Sequence, residues 1–171
     1  MSWNGWELVF PLAEWDGKTW YGGHFGSGRE PSSAVYNPSK NGRMHAGYDF
    51  GCPMRTHLYA VADGEVTQVG YNSGAGNYVV IQHESPWGQP YWFRALHIDT
   101  GGTLVEEGQT VKAGDTYALA GTTGASAAPH LHAELTDVAP YVHFSLNRHV
   151  DIEYVFFGVA GRKGYQMITA E

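Results

Sequence analysis

Residues 128–135 read A-P-H-L-H-A-E-L and place His130 and His132 on either side of a single leucine. In a strand, side chains alternate between faces with a period of two, so both imidazoles point one way while Leu131 and Ala133 point the other. The apolar face can be buried while the histidine face is left for chemistry. The same texture extends back along the chain to Asp49, as short β-prone runs separated by turn signals: H-L-Y-A-V-A-D-G, E-V-T-Q-V-G-Y, N-S-G-A-G, N-Y-V-V-I-Q-H, P-Y-W-F-R-A-L-H-I, D-T-G-G and D-T-Y-A-L-A-G. Strands at this spacing predict a mainly β protein, an antiparallel β-sandwich or a strongly curled sheet. Between them, E-E-G-Q-T-V-K-A-G-D predicts two tight glycine turns around a short strand.

Composition agrees with that class. Among 171 residues there are 23 Gly, 8 Pro, 6 Trp, 11 Tyr and 7 Phe, a mixture suited to turns and strands rather than helices. The length fits one domain with a real core. A net charge of -7 argues against nucleic acid or anionic lipid as the main partner, since either calls for a basic face. The single cysteine, Cys52, excludes an intrachain disulfide and reads as a small buried residue rather than a nucleophile. No segment reaches transmembrane length, and the start M-S-W-N-G-W-E-L-V-F has neither a basic nor an apolar signal region.

The 1–171 chain divides by texture within one expected domain. Residues 1–44 are rich in Gly, Ser, Pro, Asn and Trp and predict long loops with short strands covering one side. Residues 45–136 form the expected core. In 137–171, A-P-Y-V-H-F-S-L and I-E-Y-V-F-F-G predict an edge strand or a short helix, and the last stretch a loose tail or the start of a linker.

A zinc hydrolase site usually takes three His or carboxylate ligands and keeps a fourth position open. Of the nine histidines, only His45 is followed four positions later by aspartate, in H-A-G-Y-D. Gly47 and the flanking residues disfavour a helix there, but an extended or turned segment can bring His45 and Asp49 onto one metal, with Gly47 supplying backbone freedom. The H-x-H strand is the place to look for the remaining ligand. There is no H-E-x-x-H glutamate to act as general base.

Taken in order, H-A-G-Y-D-F-G, V-A-D-G-E-V, G-A-G-N-Y-V-V-I-Q-H, A-L-H-I, G-Q-T-V-K-A-G-D and G-T-T-G-A-S-A-A-P-H-L-H-A-E-L resemble the lysostaphin-type zinc metallopeptidases, which cut peptide cross-links of bacterial cell walls. The N-terminal H-F-G-S-G-R resembles the F-G-x-R loop ahead of that core, with an extra residue between Gly26 and Arg29. The resemblance implies one Zn2+ held by His45, Asp49 and His132, with His97 and His130 as the catalytic pair. The metal would lower the pKa of its water to about 7 and polarise the scissile carbonyl. His97 and His130 would handle the proton or stabilise the oxyanion, in a division left open. Asn77 and Thr122 become candidate substrate contacts, with Thr123 and Ser126 in the same glycine-rich loop. The position of a usual groove aromatic is Ala95, with Trp92 and Phe93 earlier.

The remaining histidines have plainer expectations: His83 as a structural hydrogen-bonding residue, His149 with Glu153 as an H-x-x-x-E decoy, and His24, His57 and His143 at the surface or groove rim. Tyr21, Tyr91 and the tryptophans are expected in packing. The expected function is therefore hydrolysis of peptidoglycan stem or bridge peptides by a monomer at the cell wall. The leaderless start suggests a phage lysin or virion-associated lysin, with a bacterial enzyme shorn of its signal as the alternative. One alternative is an inactive binding or regulatory module of the same fold. A weaker one is a lipoyl- or biotinyl-carrier hairpin, which lacks its tip lysine.

Overall fold

A computed structural model of the chain describes residues 2–15, 17, 19, 23–26, 45–139 and 148–158. Expectations concerning Tyr21, Arg29, His143, the run 140–146 and the tail from 161 fall outside these residues. The described part contains β1 (Ser2–Trp3), β2 (Trp6–Glu7), β3 (Tyr48–Gly51), β4 (His57–Tyr59), β5 (Gly64–Asn72), β6 (Gly76–Glu84), β7 (Pro90–Thr103), β8 (Thr110–Val111), β9 (Thr116–Ala120), β10 (His130–Thr136), β11 (His149–Val150) and the helix α1 (Ile152–Phe157).

β1 and β2 pair as a small antiparallel hairpin. The other nine strands form one connected sheet, whose main path runs β11-β10-β7-β6-β5-β8, with β3 on β10, β9 on β7 and β4 on β9. All pairings are antiparallel. The expected mainly β, antiparallel architecture is the one adopted. Gly108 and Gly114, at φ 85° and 87°, make the two predicted tight turns around β8.

The long strand β7 joins two parts of the sheet. Its first half lies between β6 and β10, and its second half pairs with β9 from Ile98 onward. The switch falls at His97, whose φ of 61° is in the left-handed region, beside a register irregularity in the β6–β7 ladder. A bulge of this kind re-aims a side chain. Ala95 lies fully in the core, so it forms no groove wall, while His97 two residues on escapes the normal alternation and faces the cleft.

Leu131 and Ala133 of β10 join Phe50, Phe93 and Ala95 in the core, as the alternation predicts. The opposite face carries the histidines, which are also largely enclosed: His130 and His132 are each only 5% exposed, with His130 on the lining of a cleft. The N-terminal segment closes one side. Val9 donates to the Val61 carbonyl and Tyr59 to that of Pro11, bringing Leu8, Phe10, Leu12 and Trp15 against the sheet. The run I-E-Y-V-F-F-G resolves as helix: Asp151 caps its start and Gly158, in the left-handed region, ends it. Phe156 and Phe157 pack on Phe10 and Phe50, each large buried side chain contributing about 1.5–3 kcal/mol. Tyr91, Trp3 and Trp6 are buried as packing residues, and Cys52 is half-buried against the core. Among the described residues no helix is long and apolar enough to cross a membrane.

Candidate active site

The register of two strands creates the first part of the site. Asp49 of β3 and His132 of β10 are direct partners in the ladder, and residues so placed present their side chains on one face within contact distance. His132 Nδ1 lies 2.8 Å from Asp49 Oδ1. His45 arrives from the bend before β3, with its Nε2 at 2.8 Å from His132 Nδ1 and 3.1 Å from Asp49 Oδ1. Gly47 makes this approach possible by the absence of a side chain: a Cβ there would collide with the Ala133 carbonyl of β10. Close packing, rather than an unusual φ, is therefore the demand met by this glycine.

Hydrogen bonds on the outer nitrogens fix the tautomers. His45 Nδ1–H donates to the His24 carbonyl at 3.0 Å. His132 Nε2–H donates to the Glu134 carboxylate at 2.9 Å, and the far Glu134 oxygen lies 3.4 Å from both Arg94 Nη1 and His149 Nε2. The electron pairs of His45 Nε2 and His132 Nδ1 are thereby turned toward each other and toward a carboxylate oxygen. Three electron-rich atoms this close require a cation among them, whether a proton or a metal ion. A tetrahedral zinc shell with bonds of about 2.0–2.2 Å spaces its ligand atoms about 3.3–3.5 Å apart, so a slight widening of this triangle admits the ion. His45, Asp49 and His132 form a group able to hold a metal, with ligand atoms within 4.8 Å of one another. Carboxylate-supported histidine is the arrangement typical of bound zinc.

The electrostatics follow the same contacts. Burial works to raise the Asp49 carboxyl, but His132 and His45 hold it far below the usual carboxylate range. Burial works to lower His132, and the Asp49 and Glu134 carboxylates overcome it and push the metal-free imidazole up to about 9. Glu134 is likewise opposed by burial and drawn well below its ordinary value by His132, His149 and Arg94.

His97 and His130 form the second part, with ring centroids 4.7 Å apart. His97 Nδ1–H donates to the Thr123 carbonyl at 2.7 Å and His130 Nδ1–H to the Ala128 carbonyl at 2.8 Å. Each Nε2 is left to face the site, that of His130 at 3.5 Å from Asp49 Oδ1. Burial lowers His97 to about 4, with the nearby His130 and His132 charges acting in the same direction, so it is a neutral base at pH 7. Both histidines open onto a cleft of about 370 Å³, lined also by Asp49, Ser126 and the alanines at 125, 127 and 128.

The other expected residues take varied places. The Asn77 backbone N–H donates to Thr123 Oγ1 and its side chain to the Ile98 carbonyl, so it ties together the segments flanking His97. Thr122 is exposed and bonded through Oγ1 to Ser126 Oγ at 2.7 Å. His83 has the structural role expected, donating from Nδ1 to the Asp63 carbonyl, and His57 is exposed. His24 is more than a rim residue, because its ring pairs with Glu153 while its carbonyl holds His45. The supposed H-x-x-x-E decoy is likewise built into the centre's surroundings, through the His149–Glu134 and Glu153–His24 contacts. Sequence spacing had no signal for this, since the partners lie across folded strands. The glutamate of H-L-H-A-E-L could have been flagged, being placed by alternation on the same face as both histidines.

An antiparallel sheet presenting a buried group able to hold a metal beside two pinned imidazoles in an open cleft has the parts a metal-dependent hydrolase needs. Residues 43–149 match peptidase family M23, and the chain belongs to that family. Among curated relatives, the peptidoglycan DD-endopeptidase ShyB of Vibrio cholerae is 42% identical over 106 residues, covering 58% of this chain and 24% of ShyB. ShyA of the same organism is 44% identical over 91 residues, covering 53% of this chain and 20% of ShyA. The matched part thus spans about a quarter or less of these relatives' length. Similar solved structures include a zinc-containing peptidase from Vibrio cholerae, with 33% identity, a TM-score of 0.57 and coverage of 74% of this chain and 35% of that one. The catalytic domain of lysostaphin from Staphylococcus simulans aligns with 25% identity and a TM-score of 0.55, covering 86% and 90% of the two chains.

Proposed function

We propose that the protein is a zinc-dependent endopeptidase that hydrolyses peptide cross-links of bacterial peptidoglycan, with His45, Asp49 and His132 as metal ligands and His97 and His130 as the catalytic pair. The observation that carries this reading is the convergence of three ligand atoms at 2.8–3.1 Å, with both histidine tautomers set by outer hydrogen bonds. Zinc, when held by His45, Asp49 and His132, would supply Lewis-acid activation of water and of a peptide carbonyl. The Nε2 atoms of His97 and His130 accept the proton released by the attacking water, return it to the departing amine, or donate to the tetrahedral oxyanion once protonated. Their Nδ1–H bonds to backbone carbonyls keep both rings aimed into the cleft throughout. Thr122, joined to Ser126 on the cleft lining, meets the substrate peptide, and Asn77 serves it by fixing the backbone around His97.

Relatives named as DD-endopeptidases are 42% and 44% identical over 106 and 91 matched residues, which favours a D-alanyl to diaminopimelate cross-link over a polyglycine bridge. Action at the cell wall follows from that substrate. A phage-encoded setting is supported by a similar structure, the catalytic domain, in a single-residue mutant form, of a prophage-encoded M23 protein from Enterococcus faecalis, at 27% identity and a TM-score of 0.52.

Digestion of purified walls of both cross-link types, with sequencing of the new amine termini, tests substrate and chemistry together. Phenanthroline should abolish release while a thiol-blocking reagent leaves it nearly intact, because Cys52 takes no part. Zinc binding without any release would identify a binding or regulatory module instead. Loss to the thiol reagent alone would replace the metallopeptidase reading with cysteine chemistry.

A further inference from the structure

Both metal-facing imidazoles are held through their outer nitrogens, and both holds are reached from one short piece of chain, His149 to Glu153. On the His45 side, Glu153 of α1 is 6% exposed and uses both carboxylate oxygens on the 23–26 turn. Oε1 accepts from His24 Nδ1 at 2.7 Å and Oε2 from the Phe25 N–H at 2.8 Å. The same turn closes on His45, with the His24 carbonyl accepting from Nδ1 at 3.0 Å and the Gly26 N–H donating to the His45 carbonyl at 2.8 Å. Asp151, capping α1 through the Glu153 and Tyr154 N–H groups, fixes where Glu153 stands. On the His132 side, His149 Nε2 approaches Glu134 Oε2, and the other Glu134 oxygen accepts from His132 Nε2.

We infer that the β11–α1 junction is a clamp that orients the two histidine ligands, with Glu153 as its main positioning residue. This inference rests on the metal-centre reading above. The need is greatest at His45. Asp49 and His132 are set by strand register, whereas His45 stands ahead of β3 and its ring direction depends on the His24 carbonyl. A small rotation of that ring carries Nε2 out of the triangle. A buried carboxylate is costly unless its oxygens are hydrogen-bonded, and the two donors it finds here both belong to the turn that orients His45.

Zinc affinity of the full chain, measured by competition with a chromophoric chelator well below the unfolding transition, separates positioning from packing. Glu153→Ala should bind zinc roughly 10–100-fold more weakly. Glu153→Gln, which keeps the shape and one acceptor, should fall between it and the parent. Tyr154→Ala, at the neighbouring exposed position, should bind as the parent does. His24→Phe removes the Nδ1 donor without touching α1, should reproduce the Glu153→Ala loss, and carries the test alone if Glu153→Ala does not fold. Parental affinity in His24→Phe and in folded Glu153→Ala, whatever the change in Tm, overturns the inference. Failure of the parent itself to bind zinc overturns the metal-centre reading and this one with it.

Discussion

His130 and His132 sit two residues apart on one strand, yet their removal should have different consequences. His132 Nδ1 is within 2.8 Å of both His45 Nε2 and Asp49 Oδ1, whereas His130 Nε2 is 3.5 Å from Asp49 Oδ1, outside that triangle. His130→Ala should therefore retain zinc and lose the contribution of one acid, base or oxyanion group. That loss is typically 10²–10⁴-fold, or about 2.7–5.4 kcal/mol of transition-state stabilisation. Its void merges with the open cleft of about 370 Å³, so water fills it and the stability cost stays below the roughly 2–5 kcal/mol of a sealed core truncation. His132→Ala should empty the centre, because one of three ligands is gone and Glu134 keeps only its 3.4 Å contacts with Arg94 and His149. Zinc content and cross-link hydrolysis should be measured on the same preparations, with circular dichroism to exclude unfolding. Zinc lost in His130→Ala and kept in His132→Ala would refute the assignment within H-L-H.

Two further outcomes follow from contacts around this centre. Gly76 has φ 64°, and a Cβ there would strike the Thr123 backbone, whose carbonyl holds His97 Nδ1; Gly76→Ala should lower kcat on the order of 10²-fold by misplacing His97 with zinc content unchanged, and a parental rate would uncouple Thr123 from His97. His83 is buried, and burial lowers its pKa against the opposing carbonyls of Asp63 and Ala62. The unfolded chain takes up this proton near pH 6.5 and the folded chain only at lower pH, so stability is intact above about 6.5 and falls as pH drops below it. Melts of chelator-treated protein from pH 7.5 to 5 should show a shallower acid loss for His83→Gln than for the parent, and equal slopes would remove His83 from the acid response.

Legibility in the sequence followed the range of the interactions. Period-two alternation in H-L-H-A-E-L, the glycine turns around Thr110 and Val111, and the spacing of β-prone runs are local signals, and they led to a mainly β antiparallel fold, sandwich or curled sheet. Family resemblance selected His45, Asp49 and His132, and ladder register brings the last two together. The re-aiming of His97 was hidden, because a left-handed residue at a strand switch has no compositional mark when the residue is not glycine. Also hidden was the use of His149 and Glu153. Glu153 and His24 are 129 positions apart, and only the folding of α1 against the 23–26 turn makes them neighbours. Asn77 illustrates the converse, a residue expected at the substrate whose hydrogen bonds run to the backbone around His97.

Asp49 and His132 form one rung of the β3–β10 ladder, so two of the proposed ligands are aimed by the same hydrogen bonds that hold the sheet. In small zinc modules the ion organises a chain that is unfolded without it, and coordination energy appears as folding energy. Here the pairing of β3 with β10 already fixes two of the three proposed ligands. Coordination energy should then be expressed as retention of the ion, with the scaffold outlasting its removal. The metal should thus be exchangeable: stripped protein is expected to refill with other divalent ions without passing through an unfolded state, with affinities that follow the Irving–Williams order and ligand geometry rather than the ability of each ion to drive folding.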